Sequence, residues 1–187
     1  YHPHFLFNAL NTVYFQIDES NKAPRRTLEM ISELLRYQLY GGNQKVSILQ
    51  EIDYLKTYIA LRKLRMSERL RLRVEFPPEL NELNIYPLLF LPLVENAFKY
   101  VGGDYQLDII MKWENNRISL FIRNSIPELS AEDEALRKSV DERQRKGIGL
   151  VNLRRRLSLL YPNKHRLETR KEETEFVAEL MIEIEDI

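Results

Sequence analysis

The chain of 187 residues has no cysteine, no net charge and no long apolar run. The absence of cysteine excludes disulfide bonds and thiolate metal sites, and it is typical of a reducing compartment. Lys plus Arg and Asp plus Glu both total 28, so no net field attracts nucleic acid or an anionic membrane. The longest apolar run, Leu88 to Val94, is interrupted by Pro92 and falls far short of the roughly 20 residues that span a bilayer.

The first residues indicate a piece of a longer protein. The chain begins Tyr1-His2-Pro3-His4, with neither an initiator methionine nor the basic start of a signal peptide. An apolar share of 44% and a charged share of 30% are those of a soluble globular protein. We therefore expect any membrane segments of the intact protein to lie upstream.

Two amphipathic helices are predicted within residues 1–44. One runs from Pro3 to Asp18 and the other from Pro24 to Tyr40, where Gly41-Gly42 ends it. Because about 40 residues bury little apolar surface alone, we expect this hairpin to pair with a second copy as a four-helix bundle. The apolar residues that recur at helical spacing are Leu6, Leu10, Val13, Ile17, Leu28, Ile31, Leu35 and Leu39.

Residues 45–187 are predicted to form an α+β domain. A third helix begins at the capping-box pattern Ser47-x-x-Gln50 and continues to about Met66. Helices at 87–100 and from about 148 then alternate with strands, which indicates helices packed on a mixed, largely antiparallel sheet. The predicted strands are 69–76, 83–86, 105–113, 117–123, 165–169 and 175–183.

His4 is the first candidate for chemistry, on the helix face opposite the apolar stripe. An imidazole is a competent nucleophile near neutral pH, and Asn8, one turn on, could hydrogen-bond the ring or an incoming phosphate. An ordinary surface histidine is the alternative on these residues alone. No further histidine or cysteine lies near His2 and His4, which argues against a metal site.

A second candidate site lies on the helix at 87–100. Glu95, Asn96 and Lys99 share an arc of about 100° on this helix. A carboxylate, an amide oxygen and an ammonium on one face could serve a polyphosphate, with Asn96 on Mg²⁺ and Lys99 on phosphate oxygens. The alternative is a solvated face with an ion pair from Glu95 to Lys99.

Gly147 and Gly149 precede and open the next helix, in the sequence Gly147-Ile148-Gly149-Leu150-Val151-Asn152. Glycines let the backbone approach a phosphate, and a helix N-terminus offers free N–H groups. The alternative is that they only permit a turn. The preceding segment, 127–146, is predicted as a loop of about 20 residues, a length that is uncommon in a compact domain and typical of a functional lid.

In this order and spacing the motifs resemble those of LytS/YehU-type sensor histidine kinases, whose ATP-binding half belongs to the gyrase, Hsp90, histidine kinase and MutL (GHKL) superfamily. The resemblance implies a dimerising histidine hairpin followed by a GHKL, or Bergerat-type, α/β sandwich. The stretches that carry it are Pro3-His4-Phe5-Leu6-Phe7-Asn8 (the phosphoacceptor box), Leu34-Leu35-Arg36-Tyr37, Pro92 to Lys99 (the N box) and Gly147 to Asn152 (the second glycine box).

The resemblance implies a homodimeric protein-histidine kinase that uses ATP and Mg²⁺. His4 would accept the γ-phosphoryl group and pass it to an aspartate of a response regulator, such as one with a LytTR-type DNA-binding domain. The chain itself would bind no nucleic acid and would be the cytoplasmic part of an inner-membrane sensor. Asn96 would hold Mg²⁺, and contacts to ATP are expected from Lys99, Tyr100, Gly147, Gly149, Leu150 and Asn152.

Three positions depart from the pattern of related kinases. Where an Asp-x-Gly motif binds the adenine amino group, this chain has Asn124-Ser125-Ile126, and the Asn124 oxygen can still accept that hydrogen bond. Where a Gly-Thr pair is expected, it has Glu173-Thr174, with Thr174 keeping the side-chain contact. Where many kinases place an acid after the histidine, it has Phe5, which leaves the general base unassigned, with Glu95 as a candidate only if it faces the γ-phosphate.

Two other classes of function remain open on the sequence. The loss of Asp and Gly at Asn124-Ser125-Ile126 favours a dimeric scaffold that binds nucleotide weakly and is not a catalyst. An ATP hydrolase of the Hsp90 or MutL sort belongs to the same superfamily. Those proteins, however, do not carry a short N-terminal hairpin with a histidine box.

Overall fold

The computed structural model describes residues 3–40, 42, 44–78, 80, 83–128 and 148–184. The predicted helices and strands are present, with ends that differ by a few residues. The helices are α1 (Pro3–Gln16), α2 (Lys22–Tyr40), α3 (Ile48–Lys63), α4 (Leu91–Tyr100) and α5 (Ile148–Leu160). The strands are β1 (Val46–Ser47), β2 (Arg71–Glu75), β3 (Asn84–Ile85), β4 (Gln106–Glu114), β5 (Arg117–Ser125), β6 (His165–Lys171) and β7 (Glu175–Glu183).

The hairpin of α1 and α2 leaves much of its apolar surface exposed. No residue of α1 is buried, and Leu34 is the buried residue of α2. Leu6 is 38% exposed and Val13 is 46% exposed, although both belong to the predicted apolar stripe. One chain therefore does not cover the stripe of α1. No helix in the described ranges is long and apolar enough to cross a membrane.

Helix α3 begins at the predicted capping box. The Ser47 hydroxyl accepts a hydrogen bond from the Leu49 backbone N–H, and the Gln50 side chain accepts one from the Ser47 N–H at 3.2 Å. This arrangement satisfies backbone donors that a helix start leaves unpaired. Directly before it, β1 pairs antiparallel with β3, a two-stranded ribbon that the sequence pattern did not predict.

The main sheet has the strand order β2-β4-β5-β7-β6. Its β2–β4 pair is parallel and the other three pairs are antiparallel, which confirms the prediction of a mixed, largely antiparallel sheet. Alternate residues of β5 are buried, namely Ile118, Leu120, Ile122 and Asn124. Helix α4 packs on β4 and β5, and α5 packs on β6 and α4, so the described part has the α+β architecture expected from the sequence.

The chain divides into two compact units. The first contains Tyr1–Met66 and Asn84–Leu88, and the second contains Ser67–Leu83 and Leu89–Ile187. Helix α3 is thus grouped with the hairpin, because the Tyr37 ring stacks on Tyr54 and side chains of α2 and α3 are hydrogen-bonded. The domain boundary between residues 44 and 45, which was inferred from the sequence, stays a prediction.

Candidate active site

Helix α4 separates a buried face from a polar one. Leu93, Val94, Ala97 and Phe98 are each at most 3% exposed, and Pro92 stands in the first turn, where its missing N–H is not needed. On the other side Glu95 and Lys99 are exposed and Asn96 is half-buried. The Lys99 ammonium lies 5.0 Å from the centre of the Tyr100 ring. The predicted polar arc therefore exists, with a carboxylate, an amide and an ammonium accessible together.

Asn124 occupies the last buried position of the alternating series on β5, and its side chain is completely buried. The side-chain N–H₂ group donates to the Ser125 carbonyl oxygen at 3.3 Å. The side-chain oxygen Oδ1 has no hydrogen-bond partner among the described residues. A buried acceptor without a partner is uncommon and costs about 1–3 kcal/mol. This oxygen therefore fits a donor that a ligand brings, and the adenine amino group is such a donor.

Ser125 ties the end of α4 to the end of β5. Its hydroxyl donates to the Gly102 carbonyl oxygen at 2.6 Å, and the Gly102 N–H donates to the Ser125 carbonyl oxygen at 3.0 Å. A Cβ at position 102 would lie 2.9 Å from Pro127 Cδ, so glycine is needed for this approach. The contact holds the chain after Tyr100 against the residue next to Asn124.

Thr174 lies beside the predicted adenine segment. Its carbonyl oxygen accepts a hydrogen bond from the Ile126 N–H at 2.8 Å, and its side chain is exposed. The turn between β6 and β7 therefore adjoins the residues that follow β5. Asn124 and Thr174, which are separated by 50 positions in sequence, are brought to one end of the sheet, as a shared nucleotide contact requires.

Helix α5 carries the residues of the second glycine box that the structure describes. Gly149 is exposed, and a Cβ added there would meet no atom within 4 Å. Leu150 is half-buried and Asn152 is exposed. Leu153 and Leu157, at most 2% exposed, hold the helix in the core. Gly147 and most of the predicted lid lie outside the described residues.

Arg154 joins α5 to β6. Its guanidinium donates a hydrogen bond to the Leu167 carbonyl oxygen at 2.8 Å, although the residue is exposed. This contact helps to position the helix.

His4 and Asn8 are both exposed on α1, in the first unit. The Asn8 carbonyl oxygen accepts a hydrogen bond from the Thr12 hydroxyl at 2.9 Å. Asn96, Asn124, Gly149 and the other predicted nucleotide contacts belong to the second unit. The predicted phosphoacceptor and the predicted nucleotide residues thus lie in separate units of one chain.

The sequence of the chain is similar to that of known proteins. Residues 1–70 match the family model described as histidine kinase. The sensor protein kinase HptS of Staphylococcus aureus is 28% identical over 172 residues, which cover 89% of this chain and 33% of that protein. The chain therefore spans about a third of the length of the curated relatives it matches.

Solved structures share the fold. The histidine kinase domain of a blue-light activated kinase from Erythrobacter litoralis aligns with a TM-score of 0.52 at 14% identity, covering 94% of this chain and 93% of that one. Full-length ShkA in complex with AMPPNP aligns with a TM-score of 0.50 at 13% identity, covering 97% of this chain and 44% of that one. The chain is thus similar to histidine kinases over residues 1–70, to a sensor protein kinase over most of its sequence, and to a histidine kinase domain in its fold.

Proposed function

We propose that the chain transfers the γ-phosphoryl group of ATP to His4, as the core of a sensor histidine kinase of the LytS/YehU type. Two observations support the proposal. The match to the histidine kinase family covers the helix that bears His4, and the fold of the chain is similar to that of a histidine kinase domain. The resemblance of the four motifs supports the finer subtype.

The adenine of ATP would be recognised by Asn124. Its buried Oδ1 lacks a partner among the described residues, and its N–H₂ group is held by Ser125. The free atom is therefore an acceptor, which suits an amino group on the base and not a carbonyl oxygen. Thr174, beside this segment, would add a second polar contact.

The triphosphate would lie between the polar arc of α4 and the start of α5. Asn96 offers the amide oxygen for Mg²⁺, an ion that would neutralise charge on the phosphates during transfer. Lys99 offers a cation, and Gly149 leaves space where a side chain would stand. The full set of residues that we assign to the nucleotide is Asn96, Lys99, Tyr100, Asn124, Gly147, Gly149, Leu150, Asn152 and Thr174.

In the transfer step an unprotonated ring nitrogen of His4 attacks the γ-phosphorus. A nitrogen–phosphorus bond forms, and the bond from phosphorus to the bridging oxygen breaks, so ADP leaves with that electron pair. Asn8 would orient the imidazole, and Glu95 would take the proton from its other nitrogen. The phosphoryl group would then pass to an aspartate of a response regulator, for which a LytTR-type protein is the choice that the resemblance favours.

A second copy of the chain is the proposed partner of the hairpin. Leu6 and Val13 belong to the apolar stripe of α1 and are 38% and 46% exposed. Exposed apolar residues on one face of a helix suit burial against another helix. Residues 1–44 would then form a dimeric four-helix bundle, and residues 45–187 the ATP-binding domain.

Labelling with γ-³²P-ATP and Mg²⁺ tests the proposal. We expect acid-labile, base-stable label in the chain, loss of it in His4→Gln, and retention in the matched control His165→Gln. His165 suits as a control because its Nδ1 lies 2.7 Å from the Tyr161 carbonyl oxygen and serves packing. Label that persists in His4→Gln would contradict the assignment. ATP binding without label in the wild type would favour the nucleotide-binding scaffold.

The metal assignment has its own measurement. Asn96→Ala is expected to abolish the part of ATP binding that depends on Mg²⁺ while leaving the unfolding temperature close to that of the wild type, because Asn96 is only half-buried. Calorimetric titration with and without Mg²⁺ measures this difference. Mg²⁺-dependent binding that is unchanged in the variant would show that the ion is held elsewhere.

A further inference from the structure

Glu51 is a carboxyl side chain that is completely buried, in the first turn of α3. The proposed phosphoryl transfer does not use it. A carboxyl group is rarely taken out of water unless its oxygens are hydrogen-bonded, because desolvation is costly. Its position therefore depends on the groups that donate to it.

One oxygen of Glu51 connects two segments that are distant in sequence. Oε2 accepts a hydrogen bond from the Tyr37 hydroxyl at 2.7 Å and another from the Leu88 backbone N–H at 2.9 Å. Tyr37 lies near the end of α2, in the histidine hairpin. Leu88 is the last residue of the first compact unit, three residues before α4 begins.

The backbone of Leu88 has an unusual conformation, which its hydrogen bond to Glu51 helps to hold. Its φ of 59° is in the left-handed region, which a residue with a branched side chain rarely adopts. Conformations of this kind persist when the surroundings determine them strongly. The hydrogen bond to Glu51 is one such restraint on the direction in which the chain enters Leu89 and then α4.

The Tyr37 hydroxyl on α2 remains a hydrogen-bond donor at physiological pH. Burial, and then the charge and hydrogen bond of Glu51, raise the pKa of Tyr37 well above its ordinary value, so the hydroxyl keeps its proton at physiological pH. The ring is also fixed, because it stacks on Tyr54 with centroids 4.6 Å apart. Tyr37 therefore donates to Glu51 throughout the pH range in which the protein works.

We propose that Glu51 is a positioning residue: its hydrogen bonds to Tyr37 of α2 and to Leu88 fix the backbone from which the chain continues into α4. The inference rests on the proposed kinase function for its consequence, which is phosphoryl transfer to His4. We expect loss of this connection to slow the transfer and not to weaken ATP binding.

Two variants cut the connection with little change of shape. Tyr37→Phe removes the hydroxyl and keeps the ring, while Glu51→Gln keeps the side chain and removes the charge. Tyr54→Phe is the matched control: its hydroxyl accepts from Gln38 at 2.7 Å in the same α2–α3 interface and does not hold Leu88. The control loses the same chemical group in the same place, so it reports the cost of a purely structural hydroxyl.

Amide hydrogen exchange measures the connection without any need for activity. Rates at Leu88 would be compared with those at Leu153 and Leu157, buried residues of α5 that report overall stability. We expect exchange at Leu88 to quicken about tenfold relative to them in Tyr37→Phe and in Glu51→Gln, because the first removes the second donor that holds Oε2 in place and the second leaves the weaker acceptor of an amide. Relative exchange at Leu88 should stay at the wild-type rate in Tyr54→Phe.

Steady-state kinetics of the His4 labelling measures the consequence. In Tyr37→Phe and Glu51→Gln we expect kcat to fall about tenfold with KM for ATP within about twofold of the wild type, since an interaction made only for transfer affects kcat. Tyr54→Phe should keep kcat. Equal losses of kcat in all three variants would show that the effect is structural and would overturn the inference.

The two proposals fail in different ways. Faster Leu88 exchange in both variants, with no label in the wild type, would refute the kinase function and leave the connection standing. Normal labelling with unchanged Leu88 exchange in both variants would refute the connection and leave the kinase function standing.

Discussion

The buried oxygen of Asn124 yields the sharpest prediction about nucleotide binding. In the free protein, Oδ1 is inaccessible to solvent and has no partner among the described residues. A hydrogen bond from adenine would therefore replace no protein–water bond at this atom. Its loss in Asn124→Ala should cost about 1–3 kcal/mol of binding free energy, which corresponds to about 5- to 150-fold weaker ATP affinity.

The same substitution should change the free energy of unfolding by less than about 1 kcal/mol. The side-chain bond that it removes is long, at 3.3 Å, and its acceptor, the Ser125 carbonyl oxygen, still accepts from the Gly102 N–H. No new unpaired group is created, and one unpaired oxygen disappears. We thus expect Asn124→Ala to weaken ATP binding and to leave the free energy of unfolding nearly unchanged.

Calorimetric titration with ATP and GTP, together with urea denaturation, measures both quantities. Guanine presents a carbonyl oxygen where adenine has its amino group, so the wild type should bind ATP more tightly than GTP. In Asn124→Ala the ratio of these two affinities should be smaller. Asn124→Asp should bind ATP at least as tightly as the wild type, since a charged acceptor forms a stronger hydrogen bond. ATP affinity within twofold of the wild type in Asn124→Ala would refute the role of this oxygen.

Three further predictions follow from other sites. Val13→Glu should dissociate the proposed dimer in sedimentation equilibrium, whereas Leu159→Glu, on α5 and 73% exposed, should leave the mass unchanged; an unchanged mass in both would contradict the hairpin interface. Gly149→Ala should raise the free energy of unfolding by up to about 1 kcal/mol, because alanine favours helix, but should weaken ATP binding if the backbone touches phosphate. Ser47→Ala should lower the free energy of unfolding in urea by about 1 kcal/mol through loss of the α3 cap.

Much of the fold was accessible from local patterns. The helical spacing of apolar residues predicted α1 and α2, the capping box predicted the start of α3, and alternation predicted the strands of the main sheet. Strand β3 was predicted, but β1 and its pairing with β3 were missed, because a strand of two residues gives no periodicity. The grouping of α3 with the hairpin was missed too, because it depends on Tyr37 meeting Tyr54, a contact between separate helices.

Some residues of the candidate site could likewise be predicted from the sequence, and others could not. The polar arc of α4 follows from helical geometry, so Glu95, Asn96 and Lys99 could be recognised from their spacing. The tie between Gly102 and Ser125 could not, since a glycine after a helix has an adequate local explanation. Glu51 was also missed, because a charged residue in a helix is normally assigned to solvent.

The sequence by itself determined the order of helices and strands, the exposed histidine on its helix and the residue types offered to a nucleotide. These properties depend on spacing along the chain, which the sequence states directly. Only the tertiary structure decided that the Asn124 oxygen is buried with no partner in the described part of the chain, and that one oxygen of Glu51 joins Tyr37 to Leu88. Hydrogen-bond satisfaction depends on which distant groups arrive within about 3 Å, and that is settled by packing of the whole chain.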